Sequence, residues 1–367
     1  MAVLGVSSIS PCLPKIAGEF EITAKDASLV IAVFTLPGVL FMPFLGFLAD
    51  RWGRKKVVIP SLLLFALAGT ACAFIRDFNG LLQIRFIQGI GAAPLGMVNL
   101  TLIGDLYTGK SRIRVMGLNA AILSLGTALY PLLGGMIAVD GWRHAFLLSL
   151  LAVPAALFAL FYLKSTGSQS PRKFDLYFWN LLKSLRNVKR IGLFFSINMV
   201  FILIYGLCLT VFPFYMRDVF RASPAMIGLC LTILSLGTVV SAWWLSRLAA
   251  VFSEKRLIYL SFVCYLAVCI LFPFMPSLWM VIGLTVVMGF ANGLSVPTIQ
   301  GLLTESSPAE HRGAIMSFNG MFLRLGQTLG PFLMGLVYTS GGMTAAFLIG
   351  CLVCLFTIFV IRYTVKG

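Results

Sequence analysis

Long apolar runs, separated by short polar stretches, recur along the whole chain. Eleven of these runs reach about twenty residues, the length that an α-helix needs to cross the ~30 Å hydrocarbon core of a bilayer. They lie near residues 27–48, 57–75, 80–104, 115–138, 144–163, 191–213, 224–246, 257–275, 278–303, 313–338 and 343–363. The pattern predicts an all-α integral membrane protein.

A further apolar run at the start of the chain is shorter than the others. Only MAVLGVSSIS precedes Pro11, and at about 1.5 Å per residue this stretch does not cross a bilayer as a helix. It lacks the basic leading region and the small-residue cleavage site of a signal peptide. We therefore expect an incomplete first span, truncated at its N-terminus.

Composition supports the membrane assignment. Hydrophobic residues make up 59% of the chain and charged residues 11%, which is too apolar for a soluble core. The net charge of +16 comes from short basic clusters between apolar runs, so we expect a topological signal and no nucleic-acid partner. The eight cysteines are scattered through apolar segments, which predicts packing residues, no metal site and no cofactor.

The basic clusters also predict an orientation. Alternate loops hold most of the 28 Lys and Arg residues, notably the loops at 51–56, 110–114 and 164–190. The opposite loops hold six cations, and six acidic residues in the same loops offset them. The positive-inside rule therefore places the first set of loops in the cytoplasm.

The longest polar stretch, 164–190, divides the chain into predicted bundles at 1–163 and 191–367. Its apolar side chains recur at helical spacing between cations, which suits a helix on the anionic inner leaflet. A plain linker whose aromatic residues pack on the protein explains the pattern equally well. The apolar positions are Phe174, Tyr177, Phe178, Leu181, Leu182 and Leu185.

The two halves repeat one another at a shift of 200 residues. The matching residues include Arg112 with Arg312, Met116 with Met316, Asn119 with Asn319, Gly126 with Gly326, Pro131 with Pro331 and Gly135 with Gly335. An internal repeat of this kind predicts two pseudo-symmetric six-helix bundles, as in secondary transporters that rock two bundles around a central site.

Four motifs occur in order along these spans. They are SSISPCLP (7–14), GFLADRWGRKK (46–56), LLQIRFIQGIGAAP (81–94) and GTALYPLLGG (126–135). Together they resemble the signatures of the major facilitator superfamily, in particular its twelve-span drug:proton antiporters. The resemblance covers the chain apart from the missing start. It implies the major facilitator fold, with SSISPCLP at the outer end of the first span.

The charged hairpin after the second span is a candidate conformational switch. A two-bundle transporter needs a latch of a few kcal/mol on its cytoplasmic side. Asp50 suits the amide end of the eleventh span, and Asp105 is a candidate partner for Arg54, which lies one turn after Asp50 if the helix continues. The switch residues are Gly46, Asp50, Arg51, Gly53, Arg54, Asp105 and Arg112. The alternative, a pure topology signal, fits Lys55 and Lys56 better.

Glycine and proline residues in the fifth and eleventh spans predict close helix packing and kinks. They are Gly126, Pro131, Gly134, Gly135, Gly326, Gly330 and Pro331. Tyr130 departs from the antiporter pattern, in which a glycine usually precedes the proline. We expect Tyr130 to alter the shape of the cavity, or else to face lipid.

Polar residues inside spans are costly and mark candidate sites. Arg85 and Gln88 match the fourth-span motif, and the resemblance implies a role in proton coupling. Other candidate cavity residues are Asn119, Asn319, Arg324 and Gln327, although each polar amide also suits a helix–helix hydrogen bond. Arg324 has three interpretations: a partner carboxylate in the missing first span, an anionic substrate held together with Arg85, or bonds to neighbours such as Gln327.

These observations predict a proton-coupled exporter of small amphipathic compounds that works by alternating access. The alternative within transport is a facilitator or importer of a small anionic metabolite. An enzyme lacks support because no hydrolase or metalloprotease motif occurs, and a receptor would need a soluble region. We expect a multi-pass monomer in a lipid bilayer, the bacterial inner membrane, with a small-molecule substrate and protons as partners.

Overall fold

The computed structural model describes residues 3–107, 109–163, 188–306 and 312–364. Within these ranges the chain forms helices and no strands, and ten helical segments are long and apolar enough to cross a membrane. The last segment holds two predicted spans, because Gly342 has a φ of 71° and breaks the helix. The all-α membrane fold is therefore confirmed.

The first half contains spans one to six, numbered in chain order. The first span comprises Leu4–Ser7, Ser10–Cys12 and Leu13–Glu19, and the second and third are Ala24–Trp52 and Arg54–Cys72. The fourth comprises Phe78–Ala92 and Leu95–Leu106, the fifth is Gly109–Ile137, and the sixth comprises Trp142–Phe146, Leu147–Leu151 and Ala152–Tyr162.

The second half follows the same plan. The seventh span comprises Val188–Ile202, a π-helix at Leu203–Val211 and Phe212–Phe220, and the eighth is Pro224–Val251. The ninth comprises Glu254–Leu271 and Phe272–Phe274, the tenth is Leu278–Glu305, and Arg312–Thr364 holds the eleventh and twelfth. Most of the predicted linker, 164–187, lies outside the described residues, so both interpretations of it stay predictions.

The first span ends later than expected. SSISPCLP was predicted to mark its outer end, but the helical path continues to Glu19. Pro11 and Pro14 each lie in the first turn of a new helical segment, where the missing N–H is not needed and the fixed φ favours the helix. The two prolines therefore restart the helix instead of ending it.

Side-chain caps define the first residue of several helices on the predicted outer side. Thr23 and Asp26 form a capping box at the start of the second span. Asp77 accepts a hydrogen bond of 2.6 Å from the amide of Gly80, and Ser223 caps the eighth span. Each cap satisfies amides that have no partner inside the helix.

The two halves meet mainly along two helix pairs. The second span packs against the eleventh, and the fifth packs against the eighth. Because the repeat relates the second span to the eighth and the fifth to the eleventh, these two pairs are equivalent. The other extensive contacts, such as the third with the fourth span and the eighth with the tenth, lie within one half.

Candidate functional site

The charged stretch between the second and third spans makes the predicted tight reversal at Gly53. The second helix ends at Trp52, Gly53 has a φ of 92°, and the third helix begins at Arg54. Positive φ is readily adopted only by glycine. The helix does not continue through this point, so the condition for placing Arg54 one helical turn after Asp50 is not met.

The residues of this hairpin differ in burial. Arg54 is buried, whereas Arg51 is exposed. The exposed Nζ of Lys55 donates to the carbonyl of Leu160 at 2.6 Å, near the end of the sixth span, and its role as a topology signal stays a prediction. The side chains of the remaining switch candidates lie outside the described part of the chain, and their role stays a prediction; they are Gly46, Asp50, Asp105 and Arg112.

Arg85 is completely buried inside the first half. Its Nε donates to the carbonyl of Val30 at 3.0 Å, and its NH2 donates to the carbonyl of Gly5 at 2.9 Å. Its NH1 donates to Oε1 of Gln88 at 2.7 Å. The guanidinium lies 4.2 Å from the centre of the Phe34 ring. Arg85 thus joins the first, second and fourth spans, and its role in proton coupling or at a substrate cavity stays a prediction.

The fifth span runs as one helix through Pro131. The ring of Tyr130 packs against Gly126 of its own helix and is half-buried against the core. The nearest atoms to a Cβ on Gly126 therefore belong to this ring, and close packing of Gly126 against another helix stays a prediction. Gly134 and Gly135 do make close approaches, to the carbonyls of Ser8 and Pro224 respectively.

In the eleventh span a glycine, Gly330, precedes the proline, where the fifth span has Tyr130. A Cβ atom on Gly330 would lie 2.9 Å from the carbonyl oxygen of Ile202, and one on Gly326 would overlap the carbonyl of Asn198. Both contacts are with the seventh span. Ile202 directly precedes the π-helical stretch, and Asn198 lies one helical turn before Ile202. Pro331 lies within the unbroken helix.

The interface between the halves is tight on the predicted outer side. A Cβ atom on Gly335 would lie 2.6 Å from Oγ of Ser28, and the amide of Lys25 donates to Oγ1 of Thr339 at 3.0 Å. In the equivalent pair, Thr232 donates to the carbonyl of Ala128 at 2.7 Å. Small residues on both helices permit this approach.

The polar candidates separate into different environments. Nδ2 of Asn99 donates to Oδ1 of Asn119 at 2.6 Å, so Asn119 links the fourth and fifth spans as a helix–helix hydrogen bond. Asn319 is buried, and its Oδ1 has no hydrogen-bond partner among the described residues. NH1 of Arg324 donates to Oε1 of Gln327 at 3.0 Å. This bond agrees with the third interpretation of Arg324.

The outer surface carries contacts that the sequence analysis missed. Both the indole of Trp142 and the guanidinium of Arg143 donate to the carboxylate of Glu19. Partial burial alone would raise the pKa of the Glu19 carboxyl, but these hydrogen bonds outweigh burial and lower the pKa below its ordinary value. The charges had been used only to assign topology, and their pairing depends on distant segments.

A second outer contact joins the two halves. NH1 of Arg217, at the end of the seventh span, donates to the carbonyl of Pro14 in the first span at 3.1 Å. Its neighbour Asp218 accepts a hydrogen bond of 2.9 Å from the hydroxyl of Tyr338. The outer ends of the first, seventh and eleventh spans are thereby held together.

Known proteins resemble this chain along its whole length. The family model of the Major Facilitator Superfamily matches residues 1–221 and 193–366. Multidrug resistance protein 2 of Bacillus subtilis (strain 168) is 26% identical over 92% of this chain and 86% of its own length. The class B tetracycline resistance protein of Escherichia coli is 25% identical over 91% and 85%. A solved mutant of the nucleoside transporter NupG, 15% identical, covers 100% of this chain and 98% of its own, with a TM-score of 0.79.

Proposed function

Because the chain belongs to the major facilitator superfamily, whose members are transporters and not enzymes, we propose that it exports small amphipathic compounds in exchange for protons. The relatives named for multidrug and tetracycline resistance support export as the direction. The proposed location is the inner membrane of a bacterium, with the monomer as the working unit.

The observation that carries this proposal is the pairing of the two halves across repeat-related helices. Gly135 contacts the eighth span and Gly335 contacts the second span, so equivalent positions form the two seals on the outer side. Two seals of this kind can open together when the halves rock, which is the motion that alternating access requires.

Proton coupling is the part of the proposal that rests on the fourth-span motif around Arg85 and Gln88. Among the carboxylates whose side chains the structure describes, none pairs with Arg85 or Arg324. A small anionic metabolite that is facilitated or imported is therefore the second candidate, because an intramembrane cation without a carboxylate favours an anionic partner.

The test is proton movement in liposomes that contain the purified protein. A pH-sensitive dye in the lumen reports protons while a panel of amphipathic compounds is added outside. An exchanger moves protons against the compound in a fixed ratio, and a proton gradient drives the compound uphill. Compound movement that leaves the luminal pH unchanged and stops at equal concentrations would identify a facilitator and overturn the coupling.

A further inference from the structure

Two arginines with the same local partner occur in the two halves of the chain. Arg85 lies three residues before Gln88, and Arg324 lies three residues before Gln327. In each pair NH1 of the arginine donates to Oε1 of the glutamine, at 2.7 Å in the first half and 3.0 Å in the second. The glutamine therefore fixes one corner of each guanidinium.

The rest of each guanidinium is used differently. Nε and NH2 of Arg85 are satisfied by the carbonyls of Val30 and Gly5, and no part of its side chain is exposed. Nε and NH2 of Arg324 have no hydrogen-bond partner among the described residues, and its side chain is partly exposed. Arg324 thus keeps one complete edge of its guanidinium available.

This edge lies where the two halves meet. A Cβ atom on Gly38 of the second span would lie 3.0 Å from Cδ and 3.3 Å from Nε of Arg324, so the arginine side chain packs directly against this glycine. Tyr205 of the seventh span is close enough to interact electrostatically with Arg324. Arg324 follows the start of its helix at Arg312 by ~18 Å along the axis, which places it deep in the membrane.

The chemistry of the edge defines its ligand. Nε and NH2 are parallel donors whose spacing matches the two oxygens of a carboxylate, and such bidentate bonds are strong in a low dielectric. A cation at this depth is costly and marks a functional site by default. The partly buried apolar side chains of Phe201, on the seventh span, and Met321, on the eleventh, suit the apolar part of a ligand.

We propose that the Nε and NH2 edge of Arg324 binds the carboxylate of an amphipathic substrate, with the guanidinium held by Gln327 and packed against Gly38. This inference deepens the proposed function and rests on it for the direction of transport. It assigns the chain a preference for anionic amphipaths over neutral or cationic ones of the same shape.

The test uses three fluorescent probes on one scaffold: dansylglycine, which carries a carboxylate, its neutral amide dansylglycinamide, and the cation dansylcadaverine. Binding to the purified protein in detergent is followed by dansyl emission, independently of transport. We expect Arg324→Gln to weaken dansylglycine binding at least tenfold and to leave dansylglycinamide binding unchanged. Arg324→Lys keeps the charge but loses the two parallel N–H donors. Its affinity for dansylglycine should lie between those of the parent and of Arg324→Gln.

Two further variants keep the test decisive if Arg324→Gln folds poorly. Gly38→Val would press on the arginine stem and displace its guanidinium, and Gln327→Leu releases NH1, so each should weaken dansylglycine binding selectively. A parent protein that binds the carboxylate no better than the amide overturns the inference, as does an unchanged preference in the variants. Selective binding without proton exchange in liposomes would instead overturn only the proposed coupling.

Discussion

Gly135 and Gly335 occupy equivalent positions in the two halves, and each lies against a helix of the opposite half. Gly135 meets the backbone of Pro224, and Gly335 meets Ser28. No side chain fits at either point. On the predicted outer side, two symmetry-related glycines that lie in separate copies of the repeat therefore form part of the contact between the halves.

Replacing Gly335 by leucine should hold the outer side open. The added side chain would overlap Ser28 and push the second and eleventh spans apart, at a cost of ~1–3 kcal/mol for overpacking. We expect at least a tenfold loss of transport. A cysteine placed at the buried Thr35 of the Gly335→Leu variant should become reactive toward an impermeant maleimide added outside. The same variant without the Thr35→Cys change gives the background labelling.

Gly117→Leu is the matched control for this experiment. Gly117 lies in the fifth span, but no atom comes within 4 Å of its missing Cβ. Its substitution should leave labelling and transport close to those of the parent. Equal labelling in Gly335→Leu and Gly117→Leu would show that the glycine contact does not seal the outer side.

Arg85→Gln should destabilise the protein far more than Arg324→Gln does. Loss of Arg85 removes its hydrogen bonds to the buried carbonyls of Val30 and Gly5, and each bond from a charged donor contributes ~1.5–3 kcal/mol. Within the described ranges, Arg324 has one side-chain partner, Gln327, so its loss removes one hydrogen bond there. Thermal unfolding in detergent measures the difference, and equal melting temperatures for the two variants would contradict the assigned roles.

The Glu19 carboxylate should make the outer surface sensitive to acid. Its pKa is lowered in the folded protein, so its contribution is complete above the unfolded value of ~4.3 and is lost as pH falls through the lowered pKa. The pair with Arg143 is partly exposed, which limits the effect to ~0–1 kcal/mol. The melting temperature of the parent should fall more steeply below pH ~4.3 than that of Glu19→Gln; parallel curves would exclude this role.

Asp50→Asn and Arg54→Ala should impair transport by shifting the balance between the outward-open and inward-open states. A latch contributes ~1–3 kcal/mol to that balance. Because Arg54 is buried, its loss should also lower the melting temperature, whereas Asp50→Asn should not. Cysteine labelling from the cytoplasmic side measures the shift. Lys56→Ala, at a more exposed position, is the control, and three variants indistinguishable from the parent would leave the hairpin a topology signal.

The sequence by itself determined the helices and their order. The bilayer sets the length of each apolar run, so all eleven predicted full spans appear as helices. The reversal at Gly53 was also predictable, because a charged break between two spans with a central glycine leaves few backbone conformations. The repeat predicted two similar halves, and the two helix pairs at which the halves meet are related by it.

Only the tertiary structure decided what each intramembrane arginine does. Arg85 and Arg324 have the same glutamine at the same spacing, so no local pattern separates them. Their difference comes from Gly5 and Val30, which lie far from Arg85 in the chain and supply its remaining acceptors. A guanidinium has five N–H donors, and which of them stay available depends on segments that only folding brings together.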